Sequence, residues 1–206
     1  MSLRVAEKTR TETTPHPVGR GPGVAGSMLY GSLSFGAVSV LAYSIWAFRL
    51  VPGEAALYAT IALVYLGLAG LALSWLVHAP GAWKKFPPLF AGAFLLYAIC
   101  WCACWFGLRG KFLADLWGAS FGLAAMTWLI ARAFGRRDGF LLLFLTVFVF
   151  HNLGYYLGGE LYAQIGGPTG RLLWGAAHGL GFGAGLGYLI YQCQRPSPDE
   201  RTGRTA

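Results

Sequence analysis

The sequence predicts an all-α integral membrane protein, an antiparallel bundle of six transmembrane helices with both termini in the cytoplasm. Three observations carry that expectation. Of 206 residues, 56% are hydrophobic and only 12% are charged, against about a quarter charged in soluble domains. Six apolar windows follow one another at 28–48, 55–77, 88–108, 113–133, 140–161 and 172–191, each close to the ~20 residues that cross about 30 Å of hydrocarbon. The basic residues, finally, fall on alternate connections.

The first 27 residues are rich in Thr, Pro, Gly and charge, with too little apolar surface to offset ordering, and are expected to be flexible. The window after them is expected to be retained rather than cleaved as a signal peptide, because that polar stretch precedes it and five more windows follow. VPG joins it to the second window, which ends at HAPGAWKKFPP, His78 to Pro88. This segment is expected along the inner interface, with Trp83 at headgroup depth and Lys84 and Lys85 reaching water. His78 and His16 read as solvated.

The third window holds Cys100, Cys102 and Cys104. No zinc or disulfide spacing is present among the four cysteines, and although soft thiolates four apart suit a soft metal, these read as small apolar packing residues. The fourth window carries Ser120 between Gly118 and Gly122, and GRRDG leads to the fifth, with His151, Asn152 and Tyr155. The sixth combines His178 with two ladders at spacing four: Gly175, Gly179, Gly183, Gly187 and, beside it, Ala177, Gly181, Gly185. Small residues at that spacing let helix backbones approach closely, so this helix is expected at the centre. Short connections make consecutive helices antiparallel neighbours. Residues 28–192 thus form one domain between tails 1–27 and 193–206, and no internal repeat is visible.

The net charge of +8 is a topology signal and implies no nucleic-acid partner. With a cytoplasmic N-terminus, 12 of the 16 basic residues lie inside and only Arg49, Arg109, Lys111 and Arg171 outside, as the positive-inside rule requires. The basic face suits anionic lipid headgroups, and the short loops favour a bacterial plasma membrane. Arg109, Lys111, Asp115, Glu160 and Arg171 collect at the outer boundary, where interfacial ion pairs of small individual worth are expected.

Topology converts position into depth. Ser120 and His178 enter from the outside and lie roughly 10 Å below the boundary; His151 reaches the same half travelling outward. Asn152 is level with it, and Tyr155, four residues on, shares its face. Intramembrane ionisable residues face the bundle interior or a wet cavity, and serve either as a functional site or as interhelical hydrogen bonding.

Three functional classes fit this layer. The favoured one binds or translocates a small ligand, ion or cofactor through His151, His178, Asn152 and Tyr155, or serves as a subunit of a homo-oligomer or larger membrane complex. In the second, His151 and His178 ligate haem iron or another metal.

The third is an intramembrane hydrolase. AAHGLGFGAGLG, with His178, Gly181 and Gly185 in the pattern A-H-x-x-G-x-x-x-G, is similar to the last core helix of rhomboid proteases, and WGASFGLAA sets Ser120 at matching depth on the fourth helix. The resemblance, two short stretches long, implies a Ser120–His178 dyad in which the imidazole takes the hydroxyl proton during acyl transfer. Phe121 stands where that family places Gly after the nucleophile. YATIALVYLGLAG lacks the H-x-x-x-N of its second helix, and VPG replaces its large first loop.

Overall fold

The computed structural model describes residues 22–136 and 138–195, all helix and short connections without a strand among them. Six helices follow one another: α1 Val24–Ala47, α2 Glu54–Ser74, α3 Ala82–Gly107, α4 Ala114–Ala133, α5 Phe140–Ile165 and α6 Gly167–Cys193. The first five are long and apolar enough to cross a membrane. In α6 the glycines that lower hydropathy are also what places it between its neighbours.

The two small-residue ladders of α6 face different helices. Gly175, Gly179, Gly183 and Gly187 lie on α1 at Tyr43, Ser39, Gly31 and Ser27, so a methyl group at Gly183 would collide with the Gly31 carbonyl. Ala177, Gly181 and Gly185 lie on α5 at Gly154, Phe150 and Val147. Both partners run antiparallel to α6, and such close backbone approach maximises dispersion contact where helices share no hydrophobic driving force. The ladders thus correspond to the two largest helix interfaces of the bundle, α1 with α6 and α5 with α6.

The remaining registers are also antiparallel. Tyr30 donates a hydrogen bond to the Ala72 carbonyl, Gly70 meets Pro87 and Phe90, and Gly118 and Gly122 meet Trp101 and Tyr97. The connections α1–α2, α3–α4 and α5–α6 therefore share one end, termed upper, and the other connections share the lower end. Below mid-height Phe35, Phe90, Leu123, Met126, Phe182, Leu186, Leu189 and Ile190 are fully buried. Gln194 closes the lower end: its amide donates to the Leu76 and Ile190 carbonyls and its oxygen accepts from the His78 N–H. Arg136 donates to the Gln192 carbonyl nearby.

One helix changes character along its length. Within α2, Tyr65–Ala69 forms a π-helical turn. From there downward α2 packs on both α1 and α3, with Ala69 and Leu73 fully buried; above it, Glu54–Val64 packs on α1 and has no buried residue. An inserted residue of this kind redirects a helix and is frequent at functional sites.

Helices outrun the apolar windows because backbone hydrogen bonding does not stop where hydropathy does. α3 begins at Ala82, so AWKKFPP, expected as an interfacial connection, forms its first turns. Pro87 and Pro88 remove two hydrogen bonds there, leaving the Trp83 and Lys84 carbonyls free close to the helix start, where both residues are exposed to solvent or headgroups. Only Gly166 separates α5 from α6; its φ of +66° suits glycine, and Pro168 starts the next helix. Val24–Ser27 and Cys193, assigned to the tails by the windows, are helical, and residues 1–21 and 196–206 of the tails lie outside the described residues. The expected ion pairs at the upper boundary are not made: among the described residues the one ion pair is Arg136–Asp138, at the lower end.

Candidate functional site

Near mid-height α5 and α6 bring two imidazoles into contact. The rings of His151 and His178 meet edge to face with centroids 4.9 Å apart, and both side chains are buried. His151 Nε2 is hydrogen-bonded to the Tyr97 hydroxyl of α3 at 2.8 Å. If the phenol donates, the imidazole proton sits on Nδ1; in the other tautomer Nε2–H donates to the phenol oxygen. In either case Nδ1 is buried without a partner.

His178 has no hydrogen bond at either ring nitrogen. Its surroundings are aromatic: Phe182 stacks at 5.9 Å, Tyr155 stands edge-on at 5.7 Å and Tyr43 at 6.3 Å. These contacts satisfy the ring faces and none of the nitrogens.

His178 is among the residues that border a cavity of 390 Å³ in the upper half of the bundle. Tyr43 and Trp46 of α1, Tyr58 and Tyr65 of α2, Trp101 and Trp105 of α3, Tyr155 of α5 and Trp174 of α6 supply most of its wall. Trp174 Nε1 is a further buried donor without a partner. Nearer the upper end, Arg171 lies over the Trp46 ring, 4.7 Å from its centroid, and donates from one terminal nitrogen to the Trp46 carbonyl, while its Nε is unpartnered. Beneath, Tyr65 is anchored through a chain of hydroxyls. Ser39 donates to the Gly175 carbonyl at 2.7 Å, which leaves Tyr65 to donate to Ser39, also at 2.7 Å.

Of the residues expected at the site, His151, His178 and Tyr155 come together; Tyr155 stacks on His151 with its ring 8° from parallel. Asn152 turns away, its amide donating to the Phe148 carbonyl one turn back on α5. Ser120 likewise donates to the Leu116 carbonyl of its own helix, so the dyad implied by the rhomboid resemblance is not formed. Nor does the pair have the geometry of two axial haem ligands, since imidazoles in edge-to-face contact leave no room for a flat macrocycle between them. No group of three metal-ligating side chains occurs among the described residues.

Tyr97, Trp174 and the other aromatic walls escaped sequence reasoning. Their signal is present in retrospect, for Phe94, Tyr97, Trp101 and Trp105 recur every three or four residues, one face of α3.

Comparison with models of protein families, with curated proteins and with solved structures gives no match. The chemistry of the site therefore rests on its own geometry.

Proposed function

We propose that this chain is a multi-pass membrane protein of a bacterial plasma membrane, with six spans and cytoplasmic termini, that binds a small molecule in the upper cavity with His178 as its polar contact. Five long apolar helices support insertion, and the charge asymmetry supports an upper end facing outward. The less apolar α6 is sheltered between α1 and α5, which accounts for its glycines. Exposed Trp117, Phe121 and Trp128 on α4 would meet lipid.

The observation that carries the binding role is the pair of unpartnered nitrogens on His178, buried at the wall of a cavity. A buried polar group without a partner costs about 1–3 kcal/mol, and a ligand that bonds it offsets that cost. A cavity of this size with apolar walls and a few convergent polar groups has the form of a small-molecule site. Binding is favoured over translocation because the core beneath the cavity is closed by Phe35, Phe90, Phe182 and Leu186, all fully buried.

Native mass spectrometry of the protein released from detergent tests the reading. A bound small molecule is expected on the wild type and absent after Ala62→Trp, which fills the cavity from α2, with His178→Phe reducing its occupancy. Identical spectra for all three would overturn the assignment.

A further inference from the structure

The cavity wall specifies the chemistry of its occupant more narrowly. No Asp, Glu, Lys or Arg lines it, so a charged ligand would lose its hydration without gaining a counter-ion. The unpartnered groups are His178, which offers one donor and one acceptor when neutral, and the Trp174 N–H, a donor only. Two of these three unpartnered sites are donors, so hydrogen-bond acceptors are what the ligand must chiefly supply. The ring-lined walls suit a flat body that stacks.

The cavity also has a side door. Leu57, Tyr58, Ile61 and Ala62 on the upper half of α2 face Trp101 and Cys102 of α3 across it. That half of α2 packs on α1, and packing against α3 begins only at the π-helical turn. Tyr58 and Cys102 are exposed, and Trp101 half-buried. A cleft of this kind opens sideways, toward the acyl chains if the helices span a bilayer.

We propose that the cavity takes a neutral, planar, carbonyl-bearing lipophile, the chemical class of the quinones, admitted from the bilayer between the upper halves of α2 and α3. The head group stacks on the aromatic wall, its carbonyl oxygens accept from His178 and Trp174, and its apolar tail leaves through the cleft. This deepens the binding site proposed above and rests on that reading.

Decylubiquinone provides the probe, since quinones quench indole fluorescence and Trp46, Trp101, Trp105 and Trp174 line the cavity. In nanodiscs containing the wild-type protein, quenching is expected to saturate. Ala62→Trp should abolish the saturable phase, and Trp174→Phe should weaken binding about three- to tenfold through the lost donor. Linear quenching in the wild type would overturn the quinone class, as would saturation unchanged in both variants. Mass spectra of the same samples separate this failure from that of the underlying reading. A phospholipid retained by the wild type and absent from Ala62→Trp, with no saturable quenching, removes the quinone and keeps the cavity. No retained molecule and no saturable quenching removes both.

Discussion

The two ends of the bundle are built from similar apolar material and solve the problem of buried polar groups in opposite ways. At the lower end Gln194 uses both ends of its amide on backbone groups of α6 and of the segment after α2, and Arg136 bonds Gln192. From mid-height to the upper end His151, His178, Trp174 and Arg171 each leave at least one buried nitrogen unpartnered; among the described residues the one other buried side-chain polar atom without a partner is the Thr127 hydroxyl oxygen. Native structures pair buried polar groups almost without exception, so a cluster of exceptions marks a place where the fold has accepted a cost. The lower end is organised for stability. The upper part leaves buried polar atoms open, and it is there that the proposed binding site lies.

The largest effect should come from the glycine seam that holds both ends together. Gly183→Ala forces a methyl into the Gly31 carbonyl, and overpacking of this kind costs about 1–3 kcal/mol. Gly92 on α3 has open space at its Cβ position, so Gly92→Ala should stabilise by up to ~1 kcal/mol through helix propensity. Opposite shifts of thermal unfolding in detergent are expected; equal shifts would mean that the α1–α6 approach is not tight.

Next in size is the one hydrogen bond that ties the histidine pair to α3. Tyr97→Phe keeps the ring, which also packs on Phe94 and Phe182, and removes the partner of His151 Nε2. With both imidazole nitrogens of His151 then unpaired, the loss should be about 1–3 kcal/mol. A smaller loss comes from the lower end, where Gln194→Ala removes bonds from a partly exposed site that water can re-supply. About 1 kcal/mol is expected, with ligand binding unaffected. A loss of binding in that variant would show that the two ends are not independent.

Much of this architecture was legible in the sequence. Apolar windows locate all six helices, five of them as continuous hydrophobic runs and α6 as a run diluted by glycine, and the two ladders of α6 announce two close neighbours because only small residues permit such approach. Depth alone brought His151 and His178 together. Side-chain direction was harder to read. Asn152 and Ser120 share the depth of the histidines, yet a polar side chain on a helix can bond the carbonyl one turn back, and both do. Tyr97 and Trp174 were harder to single out for the converse reason: aromatic residues are common throughout the chain, 16% of it, and against that background the one-face repeat that holds Tyr97 does not stand out and Trp174 has no repeat of its own. The splaying of α2 above Tyr65 also has no marker in composition, being set by a single π-helical turn.

The smallest stability effect should belong to the residue at the centre of the site. His178 is as buried as Asn152, and replacing a buried polar residue usually breaks hydrogen bonds. Here there are none to break, since neither ring nitrogen has a partner. His178→Phe keeps a flat ring against Tyr155 and Phe182 and removes two desolvated nitrogens. Replacing an unsatisfied polar group by an apolar one of similar shape is neutral or stabilising, so ligand-free protein should unfold at the same temperature or slightly higher. The same variant is expected to lose affinity for whatever occupies the cavity. Tyr97→Phe supplies the contrast, lowering stability through a bond that is present. If His178→Phe instead destabilises the ligand-free protein by as much as Tyr97→Phe does, then His178 braces its helix through a partner such as a bound water, and the asymmetry between the two ends of the bundle disappears.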